Sequence, residues 1–216
     1  LTPTFGDLDG DNDDDMILGD ANGKLHFFTN TGANPASFIL SEPNYKNIDI
    51  GYFASPQIID INRDGLLDII IGEQDGSINY CQNTGNTNNP IFDSIISNFG
   101  GIDIENTIIS TGYSSPTLFD NNGLFELYSG SFTGEIYKYN NIDNNLTGTF
   151  DSISALSISD GSKSRVAIND INNDQKPDFV IGNYSGGLSL YSSDSSLISA
   201  TNFDISNELL IYPNPT

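Results

Sequence analysis

The chain has 216 residues, of which 37% are hydrophobic and 11% aromatic, so it can bury a sizeable core and is not expected to be disordered. Its formal net charge is −22, with 7 basic and 29 acidic residues. A nucleic acid or an anionic membrane surface would be repelled by this charge, so neither is expected as a partner. No apolar run approaches the ~20 residues that a membrane helix needs, so the chain is not expected to be transmembrane.

A single sequence pattern recurs four times, and its most regular feature is a pair of glycines. The first glycines, separated by 53, 58 and 52 residues, are Gly19, Gly72, Gly130 and Gly182. A second glycine follows each of them after four residues, at Gly23, Gly76, Gly134 and Gly186. Self-similarity with a period of about 50 residues predicts a repeat architecture that fills almost the whole chain.

Each period predicts four short strands. Pro56 fits the first residue of a strand, where a missing N–H costs least. Ile69 to Ile71 predict a second strand covered on both faces, and Gln74 to Gly76 predict a hairpin turn. A third strand follows, such as Leu25 to Phe28, and a fourth, such as Phe92 to Ile95. Four strands per repeat are typical of a propeller blade, so we predict an all-β fold, a β-propeller with four visible four-stranded blades. A β-solenoid is the alternative.

The pattern divides the chain into three parts. The propeller repeats cover residues 1–191, with blades at about 1–53, 54–113, 114–163 and 164–191. Residues 192–206 are predicted to be a linker, and residues 207–216 to begin a further domain.

The most specific chemistry lies between the first and second strands, where oxygen-bearing side chains alternate along a short loop. Positions one, three, five and nine are predicted to bind a metal through side chains, and position seven through its backbone carbonyl. The predicted ligands are Asp7, Asp9, Asp11, Asp13 and Asp15 in loop one, Asp60, Asn62, Asp64, Leu66 and Asp68 in loop two, and Asp170, Asn172, Asp174, Lys176 and Asp178 in loop four. Such a cage suits Ca²⁺, which takes six to eight oxygen ligands, better than Mg²⁺.

A solvated Asp- and Asn-rich turn would explain one loop of this kind. Three loops in register favour metal binding, because clustered carboxylates repel one another unless a cation lies among them. The third copy, from Asp120 to Glu126, is two residues shorter and holds one Asp and one Glu. We therefore expect three calcium ions, and none in repeat three.

These repeats resemble the FG-GAP/VCBS repeats of bacterial surface proteins, which are related to the calcium-binding blades of integrin α-subunits. The resemblance covers nearly the whole chain and implies a β-propeller with calcium in the loops named above, usually without catalysis. Because the family commonly closes with seven blades, a larger propeller of about seven blades stays open. Asn12 and Gln175 replace the usual loop glycine; Asn tolerates a left-handed backbone and Gln does so less well.

The last eight residues, Leu209 to Thr216, resemble the opening of the C-terminal sorting domain of type IX secretion substrates. This resemblance implies recognition by the type IX machinery and a place outside the cell or on the outer surface of a Gram-negative bacterium. An ordinary strand that ends in a Pro-rich turn is the alternative. Leu1 to Pro3 show no signal peptide, so we expect one to have been removed or to lie outside this sequence.

Few side chains offer catalytic chemistry. Cys81 is the only cysteine and is expected to be a packed thiol, whereas His26, the only histidine, has no accompanying nucleophile pattern. The expected function is therefore non-catalytic binding or adhesion, with a glycan or a protein as ligand. Tyr52, Phe53 and Tyr113, on loops before first strands, are predicted to form the exposed binding surface. A propeller-type polysaccharide lyase or hydrolase, and a passive structural spacer, are the alternatives.

Overall fold

The computed structural model describes residues 1–159, 161–171, 175–192 and 200–202. Within these residues, sixteen strands form four four-stranded antiparallel sheets, which are arranged as a four-bladed β-propeller. This confirms the predicted fold class. The described residues include no helix long and apolar enough to cross a membrane.

In every blade, strands that follow one another in the chain are neighbours in the sheet. Blade one contains β1 (Thr2–Gly6), β2 (Asp15–Gly19), β3 (Leu25–Asn30) and β4 (Phe38–Pro43). Blade two contains β5 (Ser55–Ile59), β6 (Asp68–Gly72), β7 (Ile78–Cys81) and β8 (Ile95–Ile96). Blade three contains β9 (Ser115–Asn121), β10 (Leu124–Gly130), β11 (Glu135–Asn140) and β12 (Asp151–Ser159). Blade four contains β13 (Arg165–Asn169), β14 (Asp178–Gly182), β15 (Leu188–Tyr191) and β16 (Ala200–Asn202).

The fourth strand of blade four corrects the predicted linker. Strand β16, Ala200–Asn202, lies inside residues 192–206, which the sequence assigned to a linker. Outer strands carry a weak sequence signal because they are the edge of the blade: β8 is exposed at both of its residues. A Ser-rich segment can therefore supply such a strand without an apolar pattern.

Strand β6 lies at the centre of the core, because neighbouring blades cover both of its faces. Ile69, Ile70 and Ile71 of β6 are all fully buried. Ile69 and Ile71 belong to the hydrophobic cluster shared with blade one, and Ile70 to the cluster shared with blade three. Each such side chain contributes about 1.5–3 kcal/mol by burial. Cys81 is also fully buried in the first cluster, as the sequence predicted.

Polar side chains on the first strands join each blade to the next. They occupy the third position of β1, β5 and β9, and they bond to the backbone of the following first strand. Thr4 Oγ1 accepts the N–H of Ile58 (3.1 Å), Gln57 bonds both the N–H (2.7 Å) and the carbonyl (3.2 Å) of Leu118, and Thr117 Oγ1 donates to the carbonyl of Val166 (2.7 Å). These bonds fix the packing of successive first strands.

The strand directions give the propeller two distinct ends. Because the first and second strands of a blade are antiparallel, the loop that joins them lies at one end, which we call the loop face. The start of each first strand and the turn between the second and third strands lie at the opposite end, which we call the turn face. Of the predicted metal ligands that the structure describes, all except the position-nine aspartates lie in the joining loops, on the loop face.

Candidate metal-binding loops

Loop one brings three of its predicted ligands together. Asp7, Asp9 and Asp15 each offer a carboxylate oxygen, and these three oxygens lie within 4.8 Å of one another. Asp15 is fully buried, and Asp7 and Asp9 are partly buried. In the part of the chain that the structure describes, no other three acidic, histidine or cysteine side chains meet this closely. Loop one is therefore the best-formed candidate site.

The carboxylate of Asp9 in loop one has an oxygen without a hydrogen-bond donor in the described part of the chain. Its Oδ1 atom is buried and accepts no hydrogen bond from the described residues. Burial, and then the nearby charge of Asp11, raise the pKa of Asp9 above its ordinary value. A buried carboxylate oxygen without a donor is costly, because it has lost its hydration and gained no partner. A cation among Asp7, Asp9 and Asp15 would remove this cost.

The aspartate at position one organises each loop by accepting backbone N–H groups. Asp7 accepts from Gly10 (2.7 Å) and Asn12 (3.0 Å), Asp60 accepts from Asp64 (3.1 Å) and Gly65 (2.9 Å), and Asp170 accepts from Gln175 (2.8 Å). Position six has a left-handed backbone in all three loops, with φ of 73° at Asn12, 88° at Gly65 and 67° at Gln175. Glycine adopts this conformation without strain, so Gly65 fits position six at no cost, whereas Asn12 and Gln175 adopt it at some cost in free energy.

The aspartate at position nine connects the loop to the end of the third strand or to the residues just after it. Asp15 Oδ1 accepts the N–H of Asn30 (3.0 Å), and Asp68 Oδ1 accepts the N–H of Asn83 (2.7 Å). Sequence reasoning missed this partner, although the recurrence of Asn-Thr-Gly at 30–32 and 83–85 was a signal for it. Burial raises the pKa of Asp68 to about 6, since the carboxylate is fully enclosed.

Loop two is closed by hydrogen bonds among its own members. Asn62 Nδ2 donates to Asp64 Oδ2 at 2.8 Å, and the N–H of Leu66 donates to Asp64 Oδ1 at 2.9 Å. Asp60 holds the turn through two N–H groups, so all the oxygen side chains of the loop are preordered. A metal would have to replace the bond between Asn62 and Asp64.

The structure describes both ends of loop four. Asn172 and Asp174 lie outside the described residues. Asp178 is buried and accepts the N–H of Ile171 at 2.9 Å. Asp15 makes the equivalent bond to the N–H of Leu8 at 3.1 Å. The frame of loop four thus matches that of loop one at both of its ends.

Repeat three has a tight turn where the other repeats have the loop. Asn122 and Gly123, with φ of 55° and 89°, form a two-residue connection, and the ladder extends to the pair Asn121 and Leu124. An Asn-Gly pair with positive φ at both residues is the preferred hairpin turn. The turn leaves no chain length for alternating ligands.

A side chain from blade two supplies positive charge to repeat three. Arg63 lies in loop two, and its Nη1 is 3.0 Å from Asp120 Oδ2 and its Nε 3.3 Å from Asp143 Oδ1. Its Nη2 donates to the carbonyl of Gly123 at 3.2 Å, and the guanidinium lies 4.0 Å from the ring centre of Phe125. An arginine therefore pairs with Asp120, the residue equivalent to the first predicted metal ligand of the other three repeats.

The second acidic residue of repeat three is also paired. Glu126 Oε1 lies 2.8 Å from Lys138 Nζ, and its Oε2 accepts the hydroxyl of Tyr128 at 2.6 Å. Although burial opposes its ionisation, the bonds to Lys138 and Tyr128 outweigh this and lower the pKa of Glu126. Both carboxylates of repeat three thus have side-chain cations as partners.

We expect Arg63→Leu to lower the free energy of unfolding by about 1–2 kcal/mol. The two ion pairs are half exposed and contribute less than about 1 kcal/mol each, but the same guanidinium also bonds a carbonyl and stacks on Phe125. Arg63→Lys should lose most of the same stabilisation, because an ammonium group cannot bond the two carboxylates and the carbonyl at once. Urea denaturation measures the change. Lys46→Leu, which removes a 3.9 Å surface pair with Glu42 and a cation–π contact 5.4 Å from the ring centre of Tyr45, is the control and should cost under about 0.5 kcal/mol. Equal losses in the two leucine variants would contradict the interpretation.

The comparison with family models agrees with this architecture. Residues 7–71, which contain loops one and two, match the model described as FG-GAP-like repeat. A search of curated proteins finds no significant match. The chain is thus a four-bladed β-propeller that contains an FG-GAP-like repeat, which confirms this part of the resemblance seen in the sequence.

Proposed function

We propose that the chain is a calcium-stabilised, non-catalytic binding module that recognises a glycan or a protein outside the cell. Loop one supports the calcium part of this proposal most directly: three carboxylate oxygens lie within 4.8 Å of one another, and a buried oxygen of Asp9 has no donor among the described residues. A propeller offers broad faces of loops for recognition, and the FG-GAP-like match is compatible with a binding module.

The donor set fits a hard dication. Loops one, two and four offer carboxylate, amide and backbone oxygens, with neither sulfur nor imidazole among them, and Ca²⁺ prefers such ligands. Bound calcium would neutralise the carboxylates and join the first strand to the second, while Asp15 and Asp68 already connect to the third. Calcium is therefore proposed to stabilise the blades without taking part in a reaction.

The predicted stoichiometry is three calcium ions per chain, with repeat three empty. Paired carboxylates and a two-residue turn make repeat three a poor cage, whereas the other loops keep their alternating oxygens. Calorimetric titration of the apoprotein should give three sites, and anomalous scattering should place them. Asp9→Asn combined with Asp11→Asn should remove one ion, and Asp120→Asn should remove none. An ion at Asp120, or none at Asp60, would show that the loops have been misread.

Recognition is favoured over catalysis because the clustered carboxylates have other partners. Those of loops one, two and four are proposed metal ligands, and those of repeat three pair with Arg63 and Lys138. An array of polysaccharides and surface proteins, probed with and without calcium, tests the binding function. Turnover of a polysaccharide by the pure protein, abolished by a single point mutation, would overturn the proposal in favour of a lyase or hydrolase. Failure to bind any member would favour a structural spacer.

Export by the type IX machinery to the outer surface of a Gram-negative bacterium stays a proposal that rests on Leu209 to Thr216. These residues lie outside the described part of the chain. If the segment opens a sorting domain, then the gene that encodes the chain should continue beyond Thr216 into that domain. Deletion of the domain should leave the protein in the periplasm, as measured by fractionation.

A further inference from the structure

The turn face carries a cleft in which aromatic rings surround positively charged side chains. The cavity has a volume of about 530 Å³, and its lining includes Phe53, Tyr113, Lys163, Arg165, Asn183 and Tyr184. This size is typical of cavities that bind small molecules. The cleft lies at the end of the blades opposite to the carboxylate loops, so it is separate from the proposed metal sites.

The same backbone conformation recurs in three blades at the residues that line this cleft. Phe53, Tyr113 and Lys163 occupy the same position, two residues before a first strand, and all have left-handed backbones with φ of 57°, 50° and 53°. The N–H of each is bonded to a carbonyl of the preceding blade, at Ala21 (3.2 Å), Gln74 (3.0 Å) and Phe132 (2.9 Å). Left-handed non-glycine residues cost free energy and cluster at ligand-binding sites. In blade four this position holds a cation in place of an aromatic ring.

The ammonium group of Lys163 lies among four aromatic rings. Its Nζ is 4.0 Å from the ring centre of Tyr113, 5.6 Å from those of Phe53 and Tyr184, and 6.0 Å from that of Phe132. In the described part of the chain, no carboxylate lies within ion-pair distance of it and no acceptor bonds its donors. The rings fix the cation in place and leave its three N–H donors for another acceptor.

Arg165 places a second cation in the same cleft. Its Nη1 donates to Ser55 Oγ of blade two at 2.9 Å, and Ser55 Oγ is 3.1 Å from Ser115 Oγ of blade three. The side chain thus reaches from blade four to blade two, and it forms no ion pair with any residue that the structure describes. In a chain of net charge −22, two of the 7 basic residues lie in this one cleft without a carboxylate partner.

We propose that this cleft binds a sugar that carries a carboxylate, such as a uronic or sialic acid at the end of an oligosaccharide. Lys163 and Arg165 complement the carboxylate, and the ring of Tyr184, with 78% of its surface exposed, offers an apolar face to the sugar ring. The side-chain amide of Asn183, which also lines the cleft, supplies a polar group for a hydroxyl. A long polyanion is disfavoured by the net charge of the protein, but a single carboxylate within a screening length of about 8 Å is not. This inference rests on the proposed binding function and names its ligand class.

Matched sugar pairs test the proposal. Cellobiouronic acid against cellobiose, and sialyllactose against its methyl ester, differ within each pair chiefly by the charged carboxylate. Binding to the full chain, measured by calorimetry in the presence of calcium, should be at least about tenfold tighter for an acidic member than for its neutral partner. Lys163→Met and Tyr184→Ala should each weaken that binding about tenfold without changing the melting temperature by more than a few degrees. Lys46→Met, which removes one charge outside the cleft, should leave it unchanged.

Several results would overturn the proposal. Equal affinity for an acidic sugar and its neutral partner would show that Lys163 and Arg165 do not recognise a carboxylate. Equal affinity for a triglutamate peptide would point to an acidic protein segment as the occupant. Binding that Lys163→Met does not weaken would place the ligand elsewhere. If neither acidic sugar binds but the array finds another ligand, this inference fails and the proposed binding function stands; if the array also finds none, both fail.

Discussion

Removal of calcium is expected to lower the melting temperature by at least about 5–10 °C, which is the effect expected for a single site. Mass action predicts a stabilisation of about 2.7 kcal/mol for one site when free calcium is a hundredfold above its dissociation constant. For a chain of this size, about 1 kcal/mol corresponds to 2–4 °C. The physical reason is local: in loop one the carboxylates of Asp7, Asp9 and Asp15 lie close together, and without a cation they repel one another.

The measurement is a pair of melting curves, in calcium and in excess chelator. Magnesium should restore less of the loss, because it demands a stricter geometry and keeps more of its waters. Asp9→Asn should reduce the difference in melting temperature between the two curves. It weakens calcium binding, which lowers the melting temperature in calcium, and it relieves repulsion in the metal-free protein, which raises the melting temperature in chelator. Identical curves for the unmodified protein with and without chelator would contradict a structural role for calcium.

Features that depend on residues close in sequence were predictable. The glycine spacing located the four blades, since a turn or a close approach of backbones recurs at the same point in each repeat. The three consecutive isoleucines of β6 identified a strand buried on both faces. The loops were visible because their oxygen side chains alternate within nine residues, and Asp7, Asp9 and Asp15 do meet.

Features that depend on contacts between blades were not predictable from one sequence. Arg63 is 57 residues from Asp120 and 80 from Asp143, and nothing in the local pattern of loop two points to either. The positive cleft on the turn face was missed for the same reason. The sequence singled out Phe53 and Tyr113, but Lys163 stands among them only because three blades place equivalent positions around one cavity. Strand β16 was missed because an outer strand needs little apolar surface.

Substitution of the first glycine of a repeat is expected to destabilise the propeller strongly. Gly72→Ala should lower the free energy of unfolding by about 1–3 kcal/mol. Gly72 ends β6, and a Cβ atom there would collide with the carbonyl oxygen of Ser114 and with Cδ of Pro116 in blade three. Gly19 stands in the same relation to Ala54 and Pro56 of blade two. Because the obstacle is largely backbone, the collision can be relieved only by moving one blade away from the next, and tightly packed interiors resist this.

Gly182 provides a matched control within the same chain. It occupies the same position in blade four, yet among the described residues a Cβ atom there would meet only the side chain of Leu188, at 3.4 Å, which is ordinary van der Waals contact. Gly182→Ala should therefore change stability by less than about 0.5 kcal/mol. The difference between the two variants, measured by urea denaturation in saturating calcium, isolates the contact between blades from the conformational preference of glycine for strands. Equal effects would show that the recurrent glycine is retained for its backbone freedom, and that close approach of the blades does not require it.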